Sequence, residues 1–343
     1  MDIIPPKILT IGEDGSDKIY ESRSLLAMNL ERPLLIPGVI TGMDKIMLVA
    51  DPKIGKSILA QQLASALGAN KPFLGYQPVE GTHRVLYIAA EGDVDEVQAR
   101  GQMMGKVINV PDNRVYYWPV PSRPLNTQEG YEILMEVGRE ILPALTIFDP
   151  LYALMSGSMK DDEQMSALMR VINRYQLEIG SAVLLVHHNH RPSKGEDGKW
   201  IDEGDESYFG SFVVKAWPRV LWVMVADNKN DARYVALSNP IQRNRTSKLG
   251  TPKAKKLMLV EPDPLIFVDR VDGMASSQHA IRAILTLDAC ATQNELAIRL
   301  DRSTAMISEA LTWLVTNGYV GKTDDWPVKY YLEEYVESGT SAA

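Results

Sequence analysis

Gly55, Lys56 and Ser57 close the segment Ala50-Asp51-Pro52-Lys53-Ile54-Gly55-Lys56-Ser57-Ile58, and together they suit phosphate chemistry. Triphosphate oxygens need many donors in a small volume. A tight loop supplies backbone N–H groups, and the helix after it adds the unpaired N–H groups and positive end of its first turn. Lys56 adds a full charge, and the Ser57 hydroxyl is an oxygen ligand suited to Mg²⁺. An apolar strand, Ile46 to Val49, enters the loop and an amphipathic helix leaves it, which is the setting a P-loop requires. The segment therefore reads as a site for ATP with Mg²⁺, with residues 51–58 as the cradle. The plainer alternative is a Gly-Lys-Ser turn ahead of an ordinary helix. The motif begins with Gly where this chain has Ala50. Glycine is needed there only if φ is positive or something packs on its Cα, and Pro52 stiffens the loop by fixing φ.

Two acids and a histidine cluster stand where such a loop would use them. Glu91 follows the apolar run Val85-Leu-Tyr-Ile-Ala-Ala. A carboxylate at the C-terminal edge of a parallel sheet can orient or deprotonate an attacking water. Asp93 and Asp95 crowd the next helix start, so an acid serving that first turn is the alternative. Asp149 ends Leu145-Thr-Ile-Phe, the position from which the Mg²⁺ shell of a P-loop protein draws its acid. His187, His188 and His190 follow Ala182–Val186. No cysteine or ligand spacing completes a zinc set, and strand alternation sends His187 and His188 to opposite faces. His188 reads better as a strand-end sensor of the γ-phosphate.

These residues must be held by strands that alternate with helices. From Ile46 onward the pattern runs strand, helix to Ala69, strand Arg84–Ala89, helix Val94–Met104, strand Val115–Trp118, helix Thr127–Glu140, strand Leu145–Phe148, helix Asp161–Ile179 and strand Ala182–Val186. Alternation of this kind predicts a mostly parallel sheet flanked by helices, an α/β fold. Residues 191–206 have the composition of a mobile loop. Val220–Val225, Tyr234–Ser238, Lys256–Glu261 and Leu265–Val271 read as antiparallel strands on the sheet edge. After Gly273 the pattern changes to three short helices, with a capping box at Thr292–Glu295, and a hairpin around Trp326-Pro327. Three helices and a hairpin predict a winged helix-turn-helix. The expected divisions are an arm at 1–33, an ATPase core at 34–273, a winged-helix domain at 274–336 and a disordered tail at 337–343.

Composition limits the classes. The chain has 343 residues, 45% apolar and 23% charged, which is globular composition. No apolar run approaches a membrane span, and the N-terminus lacks the pattern of a secretory signal. One cysteine, Cys290, sits in an apolar helical stretch and reads as a small buried hydrophobe; a cytoplasmic setting fits. A net charge of −8 argues against a nonspecific DNA coat. The exception is 241–260, where Arg243, Arg245, Lys248, Lys253, Lys255 and Lys256 stand without an acid; a solvated loop is the competing reading.

The set of motifs in order resembles the RecA-like ATPases of the plasmid RepA-type hexameric helicases, over roughly residues 34–272. The resemblance rests on Pro-Lys ahead of Gly-Lys-Ser, the strand ending Ala-Ala-Glu91, the strand ending Phe-Asp149-Pro-Leu, and the strand running into His187-His188. It implies a RecA core, ATP with Mg²⁺, and a homo-oligomeric ring with ATP at the subunit interfaces. It also implies that Glu91 is the catalytic base, and matches Asp149 and His188 to the metal and histidine motifs. Arg243 and Arg245 lie where basic residues reach into a neighbour's site, and the resemblance does not separate them. Gly210, Ser211 and Trp217 fall near a family segment without assigned roles. Head-to-tail contacts close into rings or run on as filaments, so helicase and recombinase-like filament both stay open.

The C-terminal module departs from a DNA reader. Residues 276–343 carry five basic against nine acidic residues, and the third helix, Ser303 to Val315, has no Lys or Arg. A duplex reader needs phosphate contacts first. A protein partner, or packing within the oligomer, is therefore expected for the winged helix, with Ser303, Thr304 and Ser308 keeping DNA reading open. Two functions follow. One is an ATP-driven motor on single-stranded DNA, with Lys194, Lys199, Lys248 and Lys253 on phosphates and Trp200 stacking. The other is a nucleotide-switched regulator or adaptor.

Overall fold

The computed structural model describes residues 8–11, 17–28, 32–158, 161–188, 212–228, 231, 233–242, 255–261 and 264–333. The chain divides into two compact units, residues 1–33 and 34–343. In the first, β1 (Ile8–Ile11) pairs antiparallel with β2 (Asp17–Tyr20), and α1 (Ser22–Ala27) follows. Glu21 caps that helix by accepting from the N–H groups of Arg23 and Ser24.

The second unit opens with the small ribbon β3 (Leu34–Ile36) and β4 (Ile40–Thr41). The alternating segment then runs β5 (Lys45–Ala50), α2 (Lys56–Gly68), β6 (Val85–Ala89), α3 (Val94–Gly105), β7 (Val115–Pro119), α4 (Gln128–Ile141), β8 (Leu145–Asp149), α5 (Asp162–Ile179) and β9 (Ala182–His188). A short α6 (Phe212–Ala216) precedes β10 (Val220–Ala226), β11 (Tyr234–Gln242), β12 (Lys255–Val260) and β13 (Ile266–Asp269). All of these strands from β5 on form one nine-stranded sheet, ordered β13-β12-β11-β10-β5-β9-β8-β6-β7.

From β10 to β7 every pair is parallel. The remaining three strands join antiparallel. This corrects one expectation. Val220–Ala226 is not an antiparallel edge strand but lies parallel to the P-loop strand, Val220 opposite Ile46 and Met224 opposite Ala50. Its crossover includes the five-residue helix α6, too short to announce a βαβ unit in the sequence.

Alternation splits the sheet's side chains between two layers. Ile46, Leu48, Tyr87, Ile147, Leu184 and Val186 pack with α2. Met47, Val49, Leu86, Ile88, Phe148 and Leu185 face the layer that holds α4 and α5. Helix α2 is buried along nearly its whole length, including Gln61 and Gln62, because it is covered on more than one side.

The chain ends in α7 (Ser276–Asp288), β14 (Ala291–Thr292), α8 (Gln293–Arg299), α9 (Thr304–Thr316), β15 (Val320–Lys322) and β16 (Lys329–Leu332), with sheet order β14-β16-β15. Thr292 and Glu295 form the capping box of α8, and Ser303 caps α9. Ile281, Ile284, Leu296, Ile307, Leu311 and Leu314 share one apolar cluster with Met104, Ile108, Val260 and Ile266 of the earlier segment. Cys290 is not a buried hydrophobe: α7 stops at Asp288, Ala289 turns the chain at φ +61°, and the thiol is exposed. Among the described residues no helix is long and apolar enough to cross a membrane. The tail at 337–343 lies outside the described residues.

Candidate nucleotide site

The P-loop sits between β5 and α2. Lys53 at φ +67° and Gly55 at φ +90° give the loop its curl. Glycine is required at 55 for two reasons. The backbone is left-handed, and an added Cβ would lie 2.7 Å from Phe267 Cζ on β13. Ala50 needs no such freedom. It is the last residue of β5, paired with His188 and Met224, and its methyl group is buried in the core. The missing first glycine therefore costs the loop nothing conformationally.

Lys56 is buried, and its ammonium folds back to donate to the carbonyls of Ala50 at 3.0 Å and Asp51 at 2.7 Å. Burial pulls its pKa down to about 8, against the opposing pull of Asp149, Asp51 and Glu91. Asp51, Pro52 and Lys53 are exposed at the loop surface, while Ile54 is buried and Ile58 partly buried against the core.

Asp149 ends β8 and is buried. Burial raises its pKa, while hydrogen bonds from the Tyr87 and Ser57 hydroxyls and the charges of Arg100 and Lys56 oppose the rise. The Tyr87 hydroxyl also lies 3.3 Å from the Ser57 carbonyl. A hydroxyl and a carboxylate thus meet beside the loop, an all-oxygen pair that fits Mg²⁺ when phosphate and water complete the shell.

Glu91 stands two residues beyond β6, beside Asp149, whose carbonyl accepts from the Ala90 N–H at 2.7 Å. Its side chain is exposed and accepts a hydrogen bond from Tyr152. Burial and the Asp149 charge raise its pKa, and Lys56 lowers it. His187 and His188 close β9. Alternation from Leu184 and Val186 puts His188 on the α2 side, and His187 is buried with the opposite layer's register. Burial and the Lys56 charge both lower the His188 pKa, which favours the neutral ring.

Lys56, Ser57, Glu91, Asp149 and His188 are thus brought to one edge, the C-terminal ends of β5, β6, β8 and β9. Arg243 and Arg245 lie outside the described residues, as do Lys194, Lys199, Trp200, Gly210, Ser211, Lys248 and Lys253. Lys255, from the same basic run, pairs with Asp269 at 2.9 Å. Trp217 is structural packing: its indole donates to Asn173 at 2.9 Å, and the Lys45 ammonium lies 5.5 Å from its ring.

Four neighbours of the site escaped the sequence reading. Tyr87 had a signal, since a phenol in the middle of a buried strand must find a partner. Tyr152, Arg100 and Phe267 had none, because what they touch depends on strand order and helix placement. Phe267 is held from behind by Gln62, which accepts from its N–H at 2.7 Å and donates to its carbonyl at 2.9 Å.

A family model described as an AAA domain, AAA_25, matches residues 22–194, half of the chain. No curated protein matches. Among solved structures, a KaiC-like protein of the hyperthermophilic archaeon Pyrococcus horikoshii OT3 aligns at 15% identity and TM-score 0.49, over 70% of this chain and 99% of that one. A DnaB-like replicative helicase, solved with attention to its interactions with primase, aligns at 13% identity and TM-score 0.50, over 67% of this chain. The match spans 58% of that helicase chain, and at this identity it speaks to the fold alone. Family and fold agree with the site's geometry: the chain belongs to the AAA domain family AAA_25 and is a RecA-like P-loop ATPase.

Proposed function

We propose that the chain is an ATP-hydrolysing, ring-forming motor on single-stranded DNA, of the RepA helicase type, serving a mobile replicon. The observation that carries ATP hydrolysis in this reading is the meeting of Lys56, Ser57, Glu91, Asp149 and His188 on one sheet edge; the DNA substrate and the ring follow from the motif resemblance. In this reading the residue 51–58 cradle and Lys56 hold the phosphates. Ser57 and Asp149 would hold Mg²⁺, which would supply positive charge to offset that of the phosphates. Glu91 takes the proton of the attacking water, and the neutral His188 ring meets the γ-phosphate. Arg243 or Arg245 reaches into the neighbouring subunit's site, so turnover depends on assembly, a hexameric ring by preference.

We read α7, α8, α9 and the three-stranded sheet as a winged helix at 274–336, behind an ATPase core at 34–273. The motor reading expects single-stranded DNA to stimulate ATP turnover and ATP to drive strand separation. Turnover indifferent to DNA would remove it.

A second reading, an ATP-switched adaptor, has its own observation. Helix α9 offers no basic side chain, while Ile298, Met306 and Trp326 are exposed on the module, Trp326 at 91%. Such a surface suits a protein partner better than phosphate. ATP binding with negligible turnover, together with ATP-dependent change of oligomeric state, would favour it.

A further inference from the structure

Tyr152 lies on the 3₁₀ turn Leu151–Leu154 that leaves the end of β8. It touches two of the residues assigned roles above. Its hydroxyl donates to Glu91 Oε1. Its ring packs on His188, with centroids 5.3 Å apart and planes inclined at 48°. Glu91 lies two residues beyond β6 and His188 ends β9, with β8 between the two strands. Tyr152 bridges that gap from the middle strand.

Both partners need such a support. The exposed Glu91 side chain is free to rotate unless something fixes one oxygen. His188 Nδ1 is buried and has no hydrogen-bond partner among the described residues, and ring packing contributes to its placement. The hydroxyl acts only as a donor and keeps its proton. It occupies one carboxylate oxygen and leaves the other to accept a proton from water.

We propose that Tyr152 is a positioning residue for ATP hydrolysis, orienting the Glu91 carboxylate toward the attacking water and tying it to His188. The proposal rests on Glu91 as the base and His188 as the γ-phosphate sensor. A base misplaced by about 1 Å loses on the order of a hundredfold in rate. The charged groups acting on Glu91 are Asp149 from β8 and Lys56 from α2, with the Tyr152 hydroxyl as neutral donor.

The test is steady-state ATP hydrolysis, with nucleotide binding measured separately, for the full chain and three variants. Tyr152→Phe keeps the ring on His188 and removes only the hydroxyl. Its KM should stay within about twofold while kcat falls about ten- to a hundredfold. Tyr152→Leu also removes the ring and should lose more. Glu91→Gln separates the two layers of the reading. Turnover surviving Glu91→Gln would overturn the base assignment and this proposal with it. Glu91→Gln inactive, but Tyr152→Phe with unchanged kcat, would overturn the role of Tyr152 alone.

Discussion

Lys56 is the residue whose chemistry the fold alters most usefully. Its pKa of about 8 comes from burial. Triphosphate charge beside the ammonium favours the protonated form, so the pKa must rise on binding. Binding near pH 8 should therefore take up about half a proton, and binding two units lower almost none. Calorimetry in buffers of different ionisation enthalpy reads this directly; a proton count that does not change with pH would contradict it. The placement of Lys56, Ser57, Glu91 and Asp149 at one sheet edge was legible in the sequence, because each lies at or just beyond the end of an apolar strand or of the loop, a local signal. Tyr87 and Tyr152 were not read, because their partners are fixed by β6 lying next to β8 and β8 next to β9, which no local pattern states. Cys290 was misread because the apolar run around it continues past the point where Ala289 turns the chain.

At the scale of elements, the phosphate loop depends on β13 as well as on its own sequence. Gly55 is left-handed and faces the Phe267 ring, and Gln62 holds the Phe267 backbone by both its groups. Gly55→Ala should cost about 1–3 kcal/mol through the backbone alone, with further loss from the overlap. Thermal unfolding and ATP titration should both register it, with stability lowered and affinity reduced. An unchanged ATP affinity would mean that the loop finds another path. The helices and strands from β5 to β9 were legible from their periodicities, and so was the mostly parallel sheet. The orientation of β10 was not, because the described part of its crossover holds only the five-residue α6. The support given to Gly55 by Phe267 was not, because it joins residues 212 positions apart in the chain.

For the whole molecule, the C-terminal module is part of the packing. Its apolar residues share a cluster with Met104, Ile108, Val260 and Ile266, and Lys71 donates to the Leu287 carbonyl at 2.9 Å and to Asp288 at 2.8 Å. A chain ending at Gly273 should melt lower and aggregate on heating, since it uncovers that cluster. It should still bind single-stranded DNA if the core carries the DNA contacts, and a folded, monodisperse short chain with no DNA affinity would move those contacts to the module. The sequence showed a change of pattern after Gly273, but not that the elements beyond it share an apolar cluster with Met104, Ile108, Val260 and Ile266, because shared burial leaves no periodicity of its own. If one sheet edge hydrolyses ATP in the service of DNA, ATP turnover with and without single-stranded DNA, for the chain and for Glu91→Gln, with ATP binding followed on both, is the deciding experiment. DNA should stimulate turnover, and Glu91→Gln should abolish it while ATP still binds. Turnover that survives Glu91→Gln, or that ignores DNA, would rule this out.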